Sequence, residues 1–232
     1  MIDVKELSKS YSGVTVVNIP DLSIPKGESF GLVGNNGAGK TTFFRMILDL
    51  VRPTTGTVTS KEIDVAKDEG WKTYTGSFLD ESFLIDYLTP DEYFEFLGSL
   101  HGYSAGDLKE FLSGFESLFN EEIIGKKKYI RDLSKGNQKK VGIVGALMGT
   151  PEVILLDEPF ANLDPTTQIR LKDVLREWSA KNHLTMLISS HDLSHVTEVC
   201  ERIVLLEKGE IKQDIQTGDS TLKDLEEYFA AY

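Results

Sequence analysis

Residues 29–41 read Ser-Phe-Gly-Leu-Val-Gly-Asn-Asn-Gly-Ala-Gly-Lys-Thr. The apolar run at 29–33 is typical of a strand that is buried in a parallel sheet. The eight residues at 34–41 match the pattern G-x-x-x-x-G-K-[ST], and a helical pattern follows over 41–50. A strand, a glycine-rich turn and a helix in this order favour an α/β fold that carries a phosphate-binding loop.

The glycine-rich turn has the chemistry needed to hold a triphosphate. Glycines let successive N–H groups point at phosphate oxygens, and the following helix adds its positive N-terminal dipole. Lys40 supplies a point charge between the β- and γ-phosphates, and Thr41 offers a hydroxyl to Mg²⁺. The motif alone indicates a nucleoside triphosphate, since kinases, GTPases and motors all use it. The candidate nucleotide-binding residues are Gly34, Asn35, Asn36, Gly37, Ala38, Gly39, Lys40, Thr41 and Thr42.

A second apolar run, at 153–156, ends in two carboxylates, Asp157 and Glu158. We expect Asp157 to hold Mg²⁺ through a water molecule and Glu158 to polarise the attacking water as a general base. A carboxylate at this position disfavours the small GTPases, which orient water with a glutamine. The alternative of an ordinary solvated acidic turn is disfavoured by the phosphate loop on the same predicted sheet.

Composition narrows the class of protein. The 232 residues include 25 Lys and Arg against 37 Asp and Glu, and the net charge of −12 disfavours nucleic acid and anionic lipid as partners. The single cysteine, Cys200, forms no internal disulfide, which predicts an intracellular protein. Apolar runs such as 153–156 and 203–206 have four residues, whereas a membrane span needs about 20.

The remaining segments predict the architecture around the loop. Residues 1–30 alternate apolar and polar side chains, which predicts a small antiparallel sheet. Residues 78–149 have helical spacing, and we interpret their aromatic stripe as core packing. A last amphipathic helix is predicted over 221–232. Strands that alternate with helices indicate a doubly wound α/β core.

Four further segments give the sequence a family resemblance. Leu-Ser-Lys-Gly-Asn at 133–137 is similar to the signature Leu-Ser-Gly-Gly-Gln of ABC transporter ATPases. Residues 161–164 resemble the D-loop, His191 matches the switch histidine, and Tyr11 matches the aromatic side chain that stacks on adenine. In order and over essentially its whole length, the sequence resembles the nucleotide-binding subunit of an ABC transporter, most closely the bacterial exporter (ABC-2) type.

The resemblance implies a single ABC ATPase domain over 1–232. Its catalytic core is a P-loop (RecA-like) parallel sheet with an N-terminal antiparallel β lobe, at 1–77 and 150–232, and an α-helical lobe is inserted at 78–149. The implied reaction is Mg²⁺-dependent ATP hydrolysis, so ATP and Mg²⁺ are the expected cofactors. The implied partners are a membrane-spanning permease and a second ATPase subunit, without nucleic acid. The implied location is the cytoplasm, at the inner face of the membrane through the permease.

The resemblance also assigns roles to individual residues. Lys40, Glu158 and His191 would be catalytic. Ser134 and Gly136 would grip the γ-phosphate of ATP bound by the other subunit, so that two chains sandwich two ATP molecules head to tail. An aromatic-rich groove within residues 71–103 would receive a coupling helix from the permease.

Two departures from the family pattern stand out. No glutamine lies between the phosphate loop and the signature, and the register puts Asp80 where the family has a Mg²⁺-contacting glutamine, with Glu81 beside it. A carboxylate can ligate Mg²⁺, but it adds negative charge beside the triphosphate. Lys135 and Asn137 replace the usual signature Gly and Gln.

Two other interpretations are open at this point, and a third is considered and set aside. One is a non-transport ABC ATPase that acts on ribosomes, nucleic acid or a protein assembly. A second is a regulatory nucleotide binder in which Asp80 blocks hydrolysis. The third is a zinc pair formed by His191 and His195, which is disfavoured because the glutamate that should follow the first histidine is absent; His195 is then expected at a solvated helix position.

Overall fold

The computed structural model describes residues 1–218 and 221–230, and within them the chain forms ten strands, eight α-helices and three short 3-10 helices. The strands are β1 (Ile2–Tyr11), β2 (Val14–Ile24), β3 (Ser29–Val33), β4 (Thr55–Ser60), β5 (Ile63–Asp64), β6 (Thr75–Phe78), β7 (Val153–Asp157), β8 (Thr185–Ser190), β9 (Arg202–Glu207) and β10 (Glu210–Gln216). The helices are α1 (Lys40–Ile47), α2 (Pro90–Leu100), α3 (Ala105–Ser113), α4 (Glu116–Phe119), α5 (Lys135–Ala146), α6 (Pro165–Asn182), α7 (Leu193–Val199) and α8 (Thr221–Ala230).

The larger sheet holds six strands in the order β10-β9-β3-β8-β7-β6. Strands β9, β3, β8, β7 and β6 are parallel, and β10 pairs antiparallel with β9. All five residues of β3 are buried, as expected of a strand that is covered on both faces. The predicted α/β fold with a parallel-sheet core is therefore confirmed. The strands predicted at 29–33, 153–156 and 185–189 agree with β3, β7 and β8 to within one residue.

The smaller sheet pairs its strands antiparallel in the order β2-β1-β4-β5. Its buried side chains, among them Val4 and Leu7 of β1, belong to the same apolar cluster as Phe43 and Phe44 of α1. This sheet therefore supports the helix that follows the phosphate loop. The antiparallel sheet predicted for residues 1–30 is confirmed, and β4 and β5 extend it from further along the chain.

Helices α2 to α5 lie between β6 and β7 along the chain. The ring of Phe94 lies 5.8 Å from that of Phe119, and Phe115 stacks on Trp178 of α6 with ring centroids 5.7 Å apart. Phe94 and Phe115 are fully buried, so core packing explains these members of the aromatic stripe. Phe96 differs, because it is 43% exposed.

Two glycines let α5 approach the sheet closely. A Cβ on Gly76 of β6 would lie 1.9 Å from the carbonyl oxygen of Ala146, and a Cβ on Gly142 would lie 2.1 Å from the ring of Phe78. Neither position admits a side chain without movement of its neighbours. The contact therefore fixes α5 relative to β6, and through β6 to the neighbouring strand β7.

The last helix, α8, buries Leu225. Tyr232, the predicted end of this helix, lies outside the described residues. Over 1–218 and 221–230, none of the helices combines the length and apolar character that crossing a bilayer requires.

Replacing Gly76 by Ala is expected to destabilise the fold by about 1–3 kcal/mol, because the added methyl group meets main-chain atoms that cannot rotate away. Equilibrium urea unfolding measures this change. Gly106→Ala in α3 is the control, since a Cβ there meets only Ser104 Oγ at 3.6 Å, and as an unobstructed change within a helix it should leave stability unchanged or raise it by up to about 1 kcal/mol. Equal stability of the two variants would contradict close packing of α5 on β6.

Candidate active site

Residues 34–39 form the turn between β3 and α1, and Lys40 and Thr41 begin the helix. Gly34 packs so closely on β9 that a Cβ would lie 2.2 Å from the carbonyl oxygen of Leu206. Gly39, immediately before α1, has a φ of 109°, in the left-handed region that favours glycine. The strand, turn and helix expected around the motif are all present. The free N–H groups at the N-terminus of α1 lie beside the loop, where they stabilise an anion.

Lys40 is only 6% exposed, although it follows a surface loop. Its ammonium group donates to the carbonyl of Gly34 at 2.6 Å and lies 3.4 Å from Oε1 of Glu158. The side chain therefore curls back over the loop, with its charge between the loop and Glu158. A cation at this point attracts phosphate oxygens that approach the loop.

Asp157 ends β7 and is 6% exposed. Its Oδ2 accepts a hydrogen bond from Thr41 Oγ1 at 2.5 Å, and its Oδ1 accepts one from Ser189 Oγ. The buried carboxylate is stable because both of its oxygens have donors. This one side chain joins the start of α1 to the ends of β7 and β8.

The pair formed by Thr41 and Asp157 fits a magnesium ion that binds together with a nucleotide. Mg²⁺ takes six oxygen ligands, and in nucleotide sites most of them come from phosphates and water. A hydroxyl and a carboxylate in direct contact supply protein ligands of the right kind. Among the described residues no group of three or more His, Cys, Asp or Glu side chains is placed to hold a metal.

Glu158 has a left-handed backbone with a φ of 49°, which costs a residue other than glycine about 1 kcal/mol. Its N–H donates to Oγ of Ser189 at 3.0 Å and to the carbonyl of the same residue at 3.2 Å. Its Oε2 lies 2.9 Å from Nδ1 of His191, and its Oε1 faces Lys40. The structure thus brings together the three residues that the sequence predicts to be catalytic.

Asp80 lies two residues beyond the end of β6, whose last residue, Phe78, pairs with Leu156 of β7. Oδ1 of Asp80 accepts a hydrogen bond from the backbone N–H of Ser82 at 2.8 Å, and Oδ2 lies 3.8 Å from the guanidinium group of Arg45. Both carboxylate oxygens therefore have partners close by in the structure. The role of Asp80 as a Mg²⁺ ligand stays a prediction.

Ser134 caps the N-terminus of α5, where its Oγ accepts a hydrogen bond from the N–H of Asn137 at 3.2 Å. The helix begins at Lys135, so Gly136 lies in its first turn. A Cβ on Gly136 would lie 3.3 Å from Leu163 in the predicted D-loop. Ser134 is exposed, and with the N–H groups of the first helical turn it presents a surface that favours anions.

Both residues that depart from the signature pattern have acidic neighbours. The ammonium of Lys135 lies 4.0 Å from Glu81, and Nδ2 of Asn137 donates to Glu122 at 3.1 Å. These contacts tie the start of α5 to the segment after β6 and to the loop after α4.

Tyr11 is the aromatic residue that the family resemblance assigns to adenine stacking. Tyr11 is 47% exposed at the end of β1, with the Lys9 ammonium 4.9 Å from its ring centre, so its outer face is open to stacking.

The expectation that His195 is solvated was wrong. Its side chain is 13% exposed, its ring lies 5.0 Å from that of Phe160, and burial lowers its pKa.

Sequence reasoning missed two polar residues of the site, Ser189 and Lys139. Ser189 is paired with Asp157 in the register of β7 and β8, so strand pairing is the signal that would have found it. Lys139 reaches the turn after β7 from α5, and its side chain is buried. A lysine within a predicted helix gives no local sign of such a contact.

Comparison with known proteins gives consistent matches. A family profile described as ABC transporter matches residues 17–161. The chain is 34% identical over 225 residues to the bacitracin transport ATP-binding protein BcrA of Enterococcus faecalis, covering 94% of this chain and 70% of that protein. It is 31% identical to the methionine import ATP-binding protein MetN of Carboxydothermus hydrogenoformans, covering 92% of this chain and 66% of that protein.

Comparison with solved structures gives the same family. The chain superposes on a dimeric post-hydrolysis structure of the ATP-binding cassette MJ0796 bound to ADP and Pi, with a TM-score of 0.82 and 25% identity. That match covers 94% of this chain and 99% of the other.

Replacing Ser189 by Ala is expected to lower the free energy of unfolding by about 1–3 kcal/mol, because the buried Asp157 loses a donor and the Glu158 N–H loses an acceptor. Urea unfolding measures the loss. Ser113→Ala, on the exposed surface of α3, serves as the control and should change stability by less than about 0.5 kcal/mol. If Ser189→Ala were as stable as the unmodified chain, the Asp157 network would not have the structural role described.

Proposed function

The chain belongs to the ABC transporter family as an ATP-binding subunit that hydrolyses ATP, and we propose that it drives export through a separate membrane-spanning subunit. One observation carries the proposal: Lys40, Thr41, Asp157 and Glu158 meet at one edge of the parallel sheet. This edge offers a phosphate loop, ligands for Mg²⁺ and a general base, which are the parts that hydrolysis requires. The resemblance of the sequence to bacterial exporter-type ATPases supports the direction of transport.

In the proposed reaction the loop holds ATP and Lys40 contacts its β- and γ-phosphates. Thr41 and Asp157 would hold Mg²⁺, which neutralises phosphate charge when it is bound. Glu158 takes a proton from water as the water oxygen bonds to the γ-phosphorus. The bond from that phosphorus to the bridging oxygen breaks, and ADP leaves with the electron pair. His191 orients Glu158 across the 2.9 Å contact.

The second part of the proposal is a head-to-tail dimer. Ser134 and Gly136 stand at the exposed start of α5, where a hydroxyl, backbone N–H groups and the helix dipole favour an anion. In the dimer that anion is the γ-phosphate held by the partner subunit. ATP then closes the two subunits together, and hydrolysis removes the phosphate that links them. The dimeric structure of the relative MJ0796 supports this arrangement.

The third part concerns the membrane-spanning subunit. A groove of about 220 Å³ lies between α2, α5 and the segment around β6, within the region predicted to receive a coupling helix. Its lining includes Phe83, Leu84, Tyr93, Leu97 and His101. Phe83 is 52% exposed and lies three residues beyond Asp80, so a segment seated in the groove would be next to the active-site edge. This docking would hold the chain at the cytoplasmic face of the membrane.

Glu158→Gln is expected to trap an ATP-bound dimer, because the amide cannot accept the proton while the phosphate contacts remain. Hydrolysis should fall by at least about 100-fold. Gel filtration with light scattering in ATP and Mg²⁺ should show the dimer.

The double variant that also carries Lys40→Ala is the control for the trapped dimer. It should stay monomeric, because its phosphate loop has lost the charge that holds the nucleotide. A Glu158→Gln protein that stays monomeric at saturating ATP would overturn the sandwich mechanism.

Phe83→Glu is expected to release the membrane-spanning subunit, because it replaces an exposed aromatic ring in the lining of the groove with a charge. The tagged chain is purified from detergent-solubilised membranes, and integral membrane proteins that co-purify are identified by mass spectrometry. Leu50→Glu is the control, since Leu50 is 51% exposed at a different position in the chain. The proposal fails if neither protein retains a membrane partner, or if Phe83→Glu retains it as well as Leu50→Glu does.

A further inference from the structure

A buried lysine connects α5 to the turn that carries Glu158. The Nζ atom of Lys139 donates to the carbonyl oxygen of Glu158 at 2.7 Å and to that of Ala161 at 2.9 Å. The residue is only 5% exposed. Burial lowers the pKa of Lys139, and the negative charges of Glu81, Glu158 and Asp157 oppose that shift. Since burying an ammonium group is costly, the two carbonyl bonds are the compensation that the structure shows.

The two carbonyls that Lys139 binds are the two ends of one turn. The N–H of Ala161 donates to the carbonyl of Glu158 at 3.3 Å, so that carbonyl has two donors. Ser189 binds the N–H of Glu158 on the other side of the same residue. The strained backbone of Glu158, with its φ of 49°, is therefore held at both its N–H and its carbonyl group. A fixed backbone at Glu158 limits the directions in which its side-chain carboxylate can point.

The same helix also approaches the chain just beyond this turn. Gly136, one turn before Lys139 on α5, packs on Leu163. The start of α5 at Ser134 is the surface proposed to bind the partner subunit's γ-phosphate. A single rigid helix therefore joins that surface to Glu158.

We infer that Lys139 is a positioning residue for ATP hydrolysis, which holds Glu158 in its productive orientation from the helix that receives the partner's nucleotide. This inference rests on the proposed role of Glu158 as the general base. Lys139 touches no reacting atom, and its effect is carried by two backbone carbonyl groups. Misplacing a catalytic group by about 1 Å can cost about 100-fold in rate, so loss of these bonds should appear in kcat.

The test compares Lys139→Met, which removes the donors, with Lys139→Gln, which keeps an uncharged donor. Steady-state ATPase assays of the purified chain should show kcat lowered at least about 30-fold for Met, with ATP affinity changed less than about threefold. Gln should recover at least about fivefold over Met. Lys140→Met is the matched control, because Lys140 is equally buried on the same helix but pairs with Glu122, and its kcat should stay within about threefold of the unmodified chain.

A second measurement separates positioning from a general loss of structure. In the Glu158→Gln background, Lys139→Met should leave the ATP-dependent dimer intact, because the dimer depends on phosphate contacts. The inference is overturned if Lys139→Met keeps its kcat, if Lys140→Met loses as much, or if the ATP affinity of Lys139→Met falls together with kcat. Should Lys139→Met fail to fold, Lys139→Gln alone decides: a threefold to tenfold lower kcat at unchanged affinity supports the inference, and unmodified kinetics refute it.

These outcomes are distinct from failure of the proposed function. Failure to recover a membrane partner would refute transport but leave the kinetic ratios of the isolated subunit unaffected. Monomeric Glu158→Gln would refute the sandwich, whereas the comparison of Lys139→Met with Lys140→Met would still decide whether Lys139 positions Glu158.

Discussion

One buried carboxylate determines how the rest of the site is arranged. Asp157 accepts hydrogen bonds from Thr41 and from Ser189, so a single side chain joins the start of α1, the end of β7 and the end of β8. A charge this deeply buried is stable only while both oxygens have donors. The requirement keeps the phosphate loop in register with the two strands, which is why a nucleotide bound by the loop would meet Asp157 and Glu158.

The strained conformation of Glu158 is a consequence of this arrangement. An extended backbone would continue β7, whereas the left-handed one turns the carboxylate toward Lys40 and His191. The energetic cost is about 1 kcal/mol and is offset by hydrogen bonds at the N–H and carbonyl groups of Glu158. Hydrogen bonds on both sides stabilise the strained backbone of Glu158 at the end of a buried strand. Such strain is typical of a residue whose side-chain orientation is needed for catalysis.

The sequence was informative wherever the chemistry is local in the chain. Lys40 and Asp157 were predicted because each is attached to a short apolar run that reads as a buried strand. Ser189, Lys139 and His195 were not, because their contacts depend on which strands are neighbours and on the face that a helix turns toward the core. Strand register would have revealed Ser189, but the reach of Lys139 to a turn 19 residues away needs the packing of α5 on β6.

The acidic pair after β6 raises an electrostatic question, because Asp80 and Glu81 add negative charge near a proposed triphosphate site. The structure places cations around both: Arg45 lies 3.8 Å from Asp80, Lys135 lies 4.0 Å from Glu81, and the charge of Lys139 also acts on Glu81. Exposed pairs of this kind contribute only about 0–1 kcal/mol each, so their effect is on local charge more than on stability. Lys135 is itself the departure from the signature pattern. Each of the two carboxylates therefore has a cation beside it, Arg45 at Asp80 and Lys135 at Glu81, which offsets part of their negative charge.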